Sequence, residues 1–505
     1  MATREQTSQR PFDAASATVP LVRFQAAMEQ IHRYLAFHAA AQPIPAPGQL
    51  AAAPPDSVLP RLREPMDEPP ASFAAVRTWH GFPSGGGARP PLTRPDFLPD
   101  FLGTRHAPAR LHASHRSPVP LPLEQVAGRV LAEAIRADRD QPPFARASRD
   151  GFAVRAAEAA GHPFLLVTGH IRAGQSASGS LGPGEAWEIM TGAAVPPGAD
   201  AVLMVEHCEQ SSNSIRLHAG RSVAAGDHIV PQAAEASAGD ILVPAGVRLT
   251  ARQIAVAAQN GYRELSVVPR PRVAILTTGD ELVPLSQQPG PAQIRNSNAA
   301  MLAALVTALG GEAIVLPPVP DRAEALDASL LQAMAADLLL LSGGISVGRF
   351  DLVEDALTRA GARFFFGGVA IQPGKPAAFG QLPRAPRPGQ PSAQPLPFLA
   401  LPGNPISSAV TFHLFAAPLI AGLAEDAGPQ PQFALAQLAG EWRGRPGLTR
   451  FLPAACDLSA SPQVRLVPWQ GSGDLAALAR SNCFVAIADD TEAIDDGSIV
   501  PILLA

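Results

Sequence analysis

The stretch RPRVAILTTGDELV, residues 270–283, decides the fold. Val273-Ala-Ile-Leu276 is a continuous apolar run of strand length, and Thr277-Thr-Gly-Asp280 stops it with turn residues. An unbroken apolar run bounded in this way reads as a strand buried on both faces. The pattern recurs downstream. Asn298 to Leu309 reads as a helix ended by Gly310-Gly311, a strong stop signal. Ala313-IVLPPV reads as a strand, Arg322 to Ala335 as a helix and Asp337-LLLLS as a strand. Leu352 to Ala360 is a helix, Arg363-FFF and Phe398-LAL are strands, and Ile406 to Leu419 is a helix. Strands alternating with helices predict a doubly wound parallel α/β sheet over 271–424.

Outward from this block the pattern changes. Residues 147–222 carry short alternating runs with frequent Gly and Pro, which predicts a small β-rich domain. Residues 223–270 hold a turn-rich strand pair and a helix from Thr250 to Asn260. The tail, 425–505, has short runs (Val464-RLVPW, Phe484-VAIA, Ile499-VPILL) and reads as a small β-barrel or sandwich. Upstream, Leu121 to Ala137 reads as a strand or turn leading into a helix. Val22 to Ala39 reads as an amphipathic helix with Phe24, Met28, Ile31 and Leu35 on one stripe and Phe37 off it. Residues 1–21 and the Pro/Gly/Ala-rich stretch 42–117 read as a disordered terminus and a flexible insertion. DFLPDFL within that insertion is a loose loop or a short docking element.

The chain has 505 residues and a formal net charge of -5. That length suits three or four domains. Gly and Pro total 97 (43 and 54), so much of the chain is turn and loop. All basic side chains but Lys375 are arginines, which makes that position conspicuous. A mildly acidic chain with scattered arginines excludes a general nucleic-acid binder. No run approaches 18 uninterrupted apolar residues, so no membrane span is expected. MATREQTSQRPFDAAS lacks the apolar core of a signal peptide. Cys208, Cys456 and Cys483 lie far apart and form no CxxC, which fits a reducing cytoplasm.

In an open α/β sheet, ligands sit beyond the carboxyl ends of the strands. Four loops fall there: Thr278-Gly279-Asp280-Glu281, Ser342-Gly343-Gly344-Ile345-Ser346, Gln372-Pro373-Gly374-Lys375-Pro376 and Pro402-Gly403-Asn404-Pro405. Gly-rich loops that open helices present backbone N–H groups to anions. Asp280, Glu281 and Asp351 beside them would repel a phosphate unless a hard cation lay between, which points to Mg²⁺ held by these three acids. The lysine loop is not an NTPase P-loop. Five residues separate Gly368 from Gly374 instead of four, and Pro376 stands where a Ser or Thr would meet magnesium. Lys375 is then a point charge for a phosphate or another oxyanion.

Together, SRDGFAVR (148–155), EIMTGAAVPPGADAV (188–202), RPRVAILTTGDELV, QIRNSN (293–298), LLLLSGGISVGRFDLV (338–353), QPGKPAAFG (372–380) and LPGNPISSAVTF (401–412) resemble the molybdopterin molybdenumtransferase family. QGSGDLAALARSN (470–482) is a weaker match. The resemblance covers 118–505, in the family's order, with 22–39 matching its first helix. It implies a linker domain joining 22–40, 118–146 and about 223–270, a β domain at 147–222, an α/β molybdopterin-binding domain at 271–424 and a C-terminal barrel at 425–505. It implies a cytoplasmic homodimer that handles neither nucleic acid nor membrane, with a molybdopterin adenylyltransferase and apo-molybdoenzymes as partners. The implied reaction inserts molybdate into adenylylated molybdopterin and releases AMP. By motif match Asp150, Thr191, Glu281, Asp351 and Lys375 carry catalysis. Thr278, Gly279, Asp280, Asp321, Ser342, Gly343, Gly344, Ser346, Pro402, Gly403, Asn404 and Pro405 hold the ligands. The chain departs from the family at Gly368 and Gln372, where some members have lysine. It also departs at Ala233-Ala234-Glu235, in place of Gly-Glu-Asp, and at Phe152, in place of Tyr. A non-catalytic cofactor chaperone on the same fold is the alternative.

Overall fold

The computed structural model describes residues 21–40, 117–161, 164–344, 352–385, 394–428, 430–457 and 459–505. The expected terminus 1–20, nearly all of the insertion 42–117, and Ser346 and Asp351 lie outside the described residues. The chain divides into two units.

The first unit contains the α/β sheet, and its order follows from which runs must be buried twice. Six strands lie in the order Glu312–Val315, Arg272–Thr277, Leu338–Ser342, Leu396–Leu401, Ala378–Leu382, Arg363–Gly367. The first four are mutually parallel, with Thr277 opposite Ser342 and Ser342 opposite Leu401. Ala378–Leu382 runs antiparallel to both its neighbours. That strand was not expected from the sequence, and it makes the sheet mixed at one side. Successive residues face opposite layers. Val273, Ile275, Leu338 and Leu340 meet the helices Ser297–Ala308 and Pro405–Leu423. Ala274, Leu276, Leu339 and Leu341 meet Ala323–Ala333 and Leu352–Arg359. Leu338 to Leu341 are each at most 1% exposed, worth roughly 1.5–3 kcal/mol apiece in burial.

Helix Pro405–Leu423 is long and apolar enough to cross a membrane, yet 94% of its most apolar window is buried inside the protein. It is a core helix. Its middle turn, Phe412–Ala416, is π-helical. The helix Phe24–Ala40 also belongs to this unit. The resemblance places it with the linker segments. Instead Phe24, Ile31, Tyr34 and Leu35 enter the core beside Phe366, Phe379, Phe415 and Phe451. Ring contacts fix it there: Phe24 to Phe451 at 5.6 Å and Tyr34 to Phe379 at 5.3 Å between centroids. The C-terminal strands close into a five-stranded barrel. Thr449–Asp457 pairs with Gln463–Leu466, and that strand pairs with Phe433–Leu438. Phe433–Leu438 pairs with Ile499–Leu504, then Cys483–Ile487, which returns to Thr449–Asp457. The reading "barrel or sandwich" thus resolves to a barrel, because both edges of the sheet are paired.

The second unit spans the described part of 117–270 with Ala424–Gly428. A six-stranded sheet in the order Ala201–Met204, Gly151–Val154, Glu185–Ile189, Leu165–Ile171, Ser214–Leu217, Cys208–Ser211 forms the expected β-rich part. Phe152, Val154 and Leu203 line one face of it, and Ala153, Ile189 and Val202 the other. The helix Ala251–Gln259 forms as expected, with Thr250 and Gln253 closing a capping box. The helix expected within Leu121–Ala137 does not form. Gly128 takes a left-handed φ of 73°, and its N–H donates to Leu249 O at 2.8 Å. Short strands at Val119–Pro122 and Ile135–Arg136 pair across to Glu264–Val267 and Ile241–Val243 instead. Val126, Leu131 and Ile135 are buried, but by tertiary pairing and not by a helical stripe.

Candidate functional site

The four loops named from the sequence leave one edge of the α/β sheet. The register requires it: Thr277, Ser342 and Leu401 are aligned strand ends, and Gly367 lies opposite Ala378, itself opposite Ala400. The turn between Gly367 and Ala378, with Lys375, therefore emerges beside the other three loops. Thr278 N–H donates to Ser342 O at 3.1 Å and Gly343 N–H to Leu401 O at 3.3 Å.

Glycine is required here for space. Gly343 (φ 98°) would place a Cβ 2.6 Å from Thr278 O, and Gly344 (φ 64°) would place one 2.5 Å from Val353 Cγ2. Gly374 (φ 121°) would meet Thr411 Cγ2 at 2.7 Å. Only bare backbone fits, which is what a loop offering N–H groups to an anion needs. Lys375 is exposed and makes no salt bridge among the described residues.

Asparagines that the sequence reading left within QIRNSN organise this edge. Asn296 donates through Nδ2 to Thr277 Oγ1 at 2.8 Å and caps helix Ser297–Ala308 by accepting from Ala299 N–H at 3.2 Å. Asn298 Nδ2 donates to Ser342 Oγ at 2.9 Å and to Gly403 O at 2.6 Å. Thr278 Oγ1 and Asn298 Oδ1 are buried and lack a hydrogen-bond partner among the described residues. Buried polar atoms without partners are uncommon and mark where something else is accommodated. The barrel contributes Ser472, whose Oγ accepts from Asn404 Nδ2 at 2.8 Å and whose carbonyl accepts from Ile406 N–H at 3.0 Å. Glycines flanking Ser472 were the one signal for it in the sequence.

The acids gather at the first loop. Asp280 Oδ1 accepts from Asp321 N–H at 3.1 Å. A Cβ on Gly279 would lie 2.4 Å from Glu281 Oε2, so the Glu281 carboxylate folds back over that glycine. Burial, then the negative charges of Asp280 and Glu281, push the Asp321 carboxyl above its usual range. Among the described residues none of these three acids makes a salt bridge. No three acids or other ligating side chains among the described residues converge as a metal cage. Magnesium does not need one, since it commonly uses one or two carboxylates plus substrate phosphates and water.

In the second unit, Asp150 and Thr191 form one motif. Asp150 Oδ1 accepts from Thr191 N–H at 2.6 Å and from Thr191 Oγ1 at 2.7 Å. These two bonds, the backbone one first, hold the Asp150 carboxyl below its usual range, so it stays ionised. Gly151 follows because a Cβ there would lie 1.8 Å from Leu203 O. Glu235, one of the departures, has a local partner: Arg146 Nη2 lies 2.7 Å from its Oε1. Both line a cavity of about 170 Å³ with Arg139, Phe144 and Gly192.

Comparison with known proteins agrees with this layout. Family models match in chain order: the MoeA N-terminal region, domains I and II, at 103–261, a probable molybdopterin-binding domain at 274–422, and the MoeA C-terminal region, domain IV, at 436–505. A molybdopterin molybdenumtransferase of Bacillus subtilis is 33% identical over 395 residues, 76% of this chain and 88% of that protein. One from Nostoc sp. is 38% identical over 315 residues, 61% of this chain and 70% of that protein. A crystal structure of the molybdopterin biosynthesis MoeA protein of Pyrococcus horikoshii OT3 has a TM-score of 0.65 at 26% identity, covering 77% of this chain and 94% of that one. With three domain models in order and a relative matched over most of its length, the chain belongs to the MoeA family of molybdopterin molybdenumtransferases.

Proposed function

We propose that this protein inserts molybdate into adenylylated molybdopterin and releases AMP. The observation that carries this reading is the convergence at one sheet edge of three glycine loops, a lysine turn and an acid group, the last two making no salt bridge among the described residues. Both substrates are anions that must approach each other. Backbone N–H groups of Gly344 and Gly403 offer donors that need no reorganisation during the reaction. Lys375 supplies a mobile positive charge for the oxyanion, while Pro402 and Pro405 hold the loop where molybdate would sit. Thr278, Ser342 and Asn404 line the molybdopterin site, joined in this reading by Ser346.

Magnesium fits the acid group, because the oxygen donors there are hard and make no salt bridge among the described residues. Asp280, Glu281 and Asp321 would hold it, with Asp351. When bound it would offset charge between these acids and a phosphoryl group. Asp150, kept ionised by Thr191, orients a cationic or hydrogen-bond-donating part of the assembly in the cleft of a homodimer. A four-part division with helix Phe24–Ala40 assigned to the α/β part and the linker drawn from 118–146 and about 223–270, a cytoplasmic location, and supply of substrate by an adenylyltransferase with delivery to apo-molybdoenzymes complete the reading.

The test supplies adenylylated molybdopterin, Mg²⁺ and molybdate and follows AMP. Molybdate-dependent release is expected, with Asp351→Ala cutting it at least tenfold. Absence of AMP with ligand bound makes the protein a carrier and ends the enzymatic reading.

A further inference from the structure

We propose that Asn298 is a positioning residue that locks the Ser342-Gly-Gly loop and the Pro402-Gly-Asn loop at a fixed separation. This deepens the reading above and rests on it. Asn298 is 9% exposed, and its one NH₂ group uses both hydrogens on the two loops: Ser342 Oγ at 2.9 Å and Gly403 O at 2.6 Å. Ser342 Oγ also lies 3.4 Å from Pro402 O, so the hydroxyl and the amide form one short network across both loops. Gly343 N–H donates to Leu401 O at 3.3 Å, and a Cβ on Gly403 would come 3.4 Å from Gly343 Cα, so the loops are tied at their bases with little space between them. The amide therefore joins closely spaced loops, where a small change of spacing is felt directly.

Its other atom sharpens the argument. Asn298 Oδ1 is buried and accepts no hydrogen bond from the described residues. Among those residues the two Nδ2 bonds alone orient the amide. Asn298 itself is held by its place in helix Ser297–Ala308, which Asn296 caps while bonding Thr277 on the neighbouring strand. The chain of contacts runs from strand end to helix cap to Asn298 to both anion loops. A side chain placed in this way acts through the loops' N–H groups and need not touch substrate.

Asn298→Leu keeps the approximate shape and removes both donors. AMP release should be followed with adenylylated molybdopterin, Mg²⁺ and molybdate well below the thermal midpoint, alongside Asn298→Asp, Ser342→Ala and the Asn298→Leu/Ser342→Ala double variant. We expect kcat to fall about ten- to a hundred-fold in Asn298→Leu, because misplacing a reacting group by ~1 Å costs on that order. The KM for adenylylated molybdopterin should stay within about threefold, because other contacts carry that binding. Losses in the double variant should fall short of the product of the single ones, as for residues sharing one network. Asn298→Asp should not rescue, since a carboxylate offers no hydrogen to Gly403 O. A wild-type kcat in folded Asn298→Leu, or fully multiplicative losses in the double variant, would overturn the assignment. If wild-type protein itself released no AMP, the functional reading would fail instead. In that case the binding of molybdate to wild type and to Asn298→Leu still tests the loop lock, with equal affinity counting against it.

Discussion

The two polar motifs, one in each unit, are built in opposite ways. Asp150 and Thr191 satisfy each other in the open, through two bonds between the ends of two paired strands. At the sheet edge of the first unit, Thr278 and Asn298 are buried with one atom each left unpaired among the described residues, and glycines there leave no space for a side chain. The exposed motif depends on local chemistry and tolerates change around it. The buried one depends on how five strand ends and a helix cap are stacked, so small volume changes reach every loop.

Gly343→Ala tests that difference most severely. A left-handed φ and a Cβ 2.6 Å from a carbonyl oxygen should reduce AMP release at least ~100-fold and lower the thermal midpoint. Gly192→Ala is the control in the other unit. Its φ is also left-handed (82°), but nothing lies within 4 Å of the added carbon. About 1 kcal/mol of stability should be lost there, measured by urea unfolding. Equal damage at both positions would remove the contrast between tight and open sites.

Changing Thr191 to Val should move the Asp150 carboxyl only part of the way up toward its ordinary range, read by NMR titration, because the hydroxyl bond is lost while the larger effect of the backbone N–H bond stays. AMP release should drop about tenfold with no change in thermal midpoint. Loss of folding in that variant would mean the exposed motif is structural after all.

Half-buried His413 gives the first unit an acid sensitivity. Burial lowers its pKa to about 4, and it sits in the π-helical turn against Phe412. The unfolded chain takes up this proton near the ordinary value of 6.5, whereas the folded chain does not until about 4. Stability contributed by the neutral ring is therefore full at neutral pH and declines as pH falls through that window. About 2 kcal/mol should be lost between pH 7 and pH 5, and His413→Phe should remove this slope from urea unfolding. An unchanged slope would show that the ring takes up its proton in the folded chain at an ordinary pH.

The smallest effect belongs to Arg146 and Glu235. Their 2.7 Å pair leaves each side chain 40–51% exposed, so Glu235→Gln should cost at most ~1 kcal/mol and less in high salt.

Much of the α/β unit was legible because its runs carry their own punctuation. Leu338 to Leu341 ends at Ser-Gly-Gly, and helix Ser297–Ala308 ends at paired glycines. Ala378–Leu382 was missed because it follows the Gly-Lys-Pro turn directly and is too short to show a period of its own. Leu121 to Ala137 misled for the opposite reason. Val126 and Val130, like Leu131 and Ile135, are four residues apart as on a helix, but Gly128 turns the chain and partner strands claim the backbone groups. Asp150, Thr191 and the glycine loops stood out as chemistry at turns. Asn298 and Ser472 did not, since an asparagine and a serine become functional only through what a distant loop places beside them.

By itself the sequence determined most strands and turns of the α/β block, which of its loops are rich in glycine and that acids lie beside them. These are local properties, written in hydrophobic period and in the backbone freedom of glycine. Tertiary structure decided the rest. It sent helix Phe24–Ala40 into the α/β core, closed the tail into a barrel, and aligned Thr277, Ser342 and Leu401 so that one amide reaches two loops. Those outcomes rest on packing between segments 60 to 400 residues apart, where the spacing of residues along the chain no longer reports their distance in space.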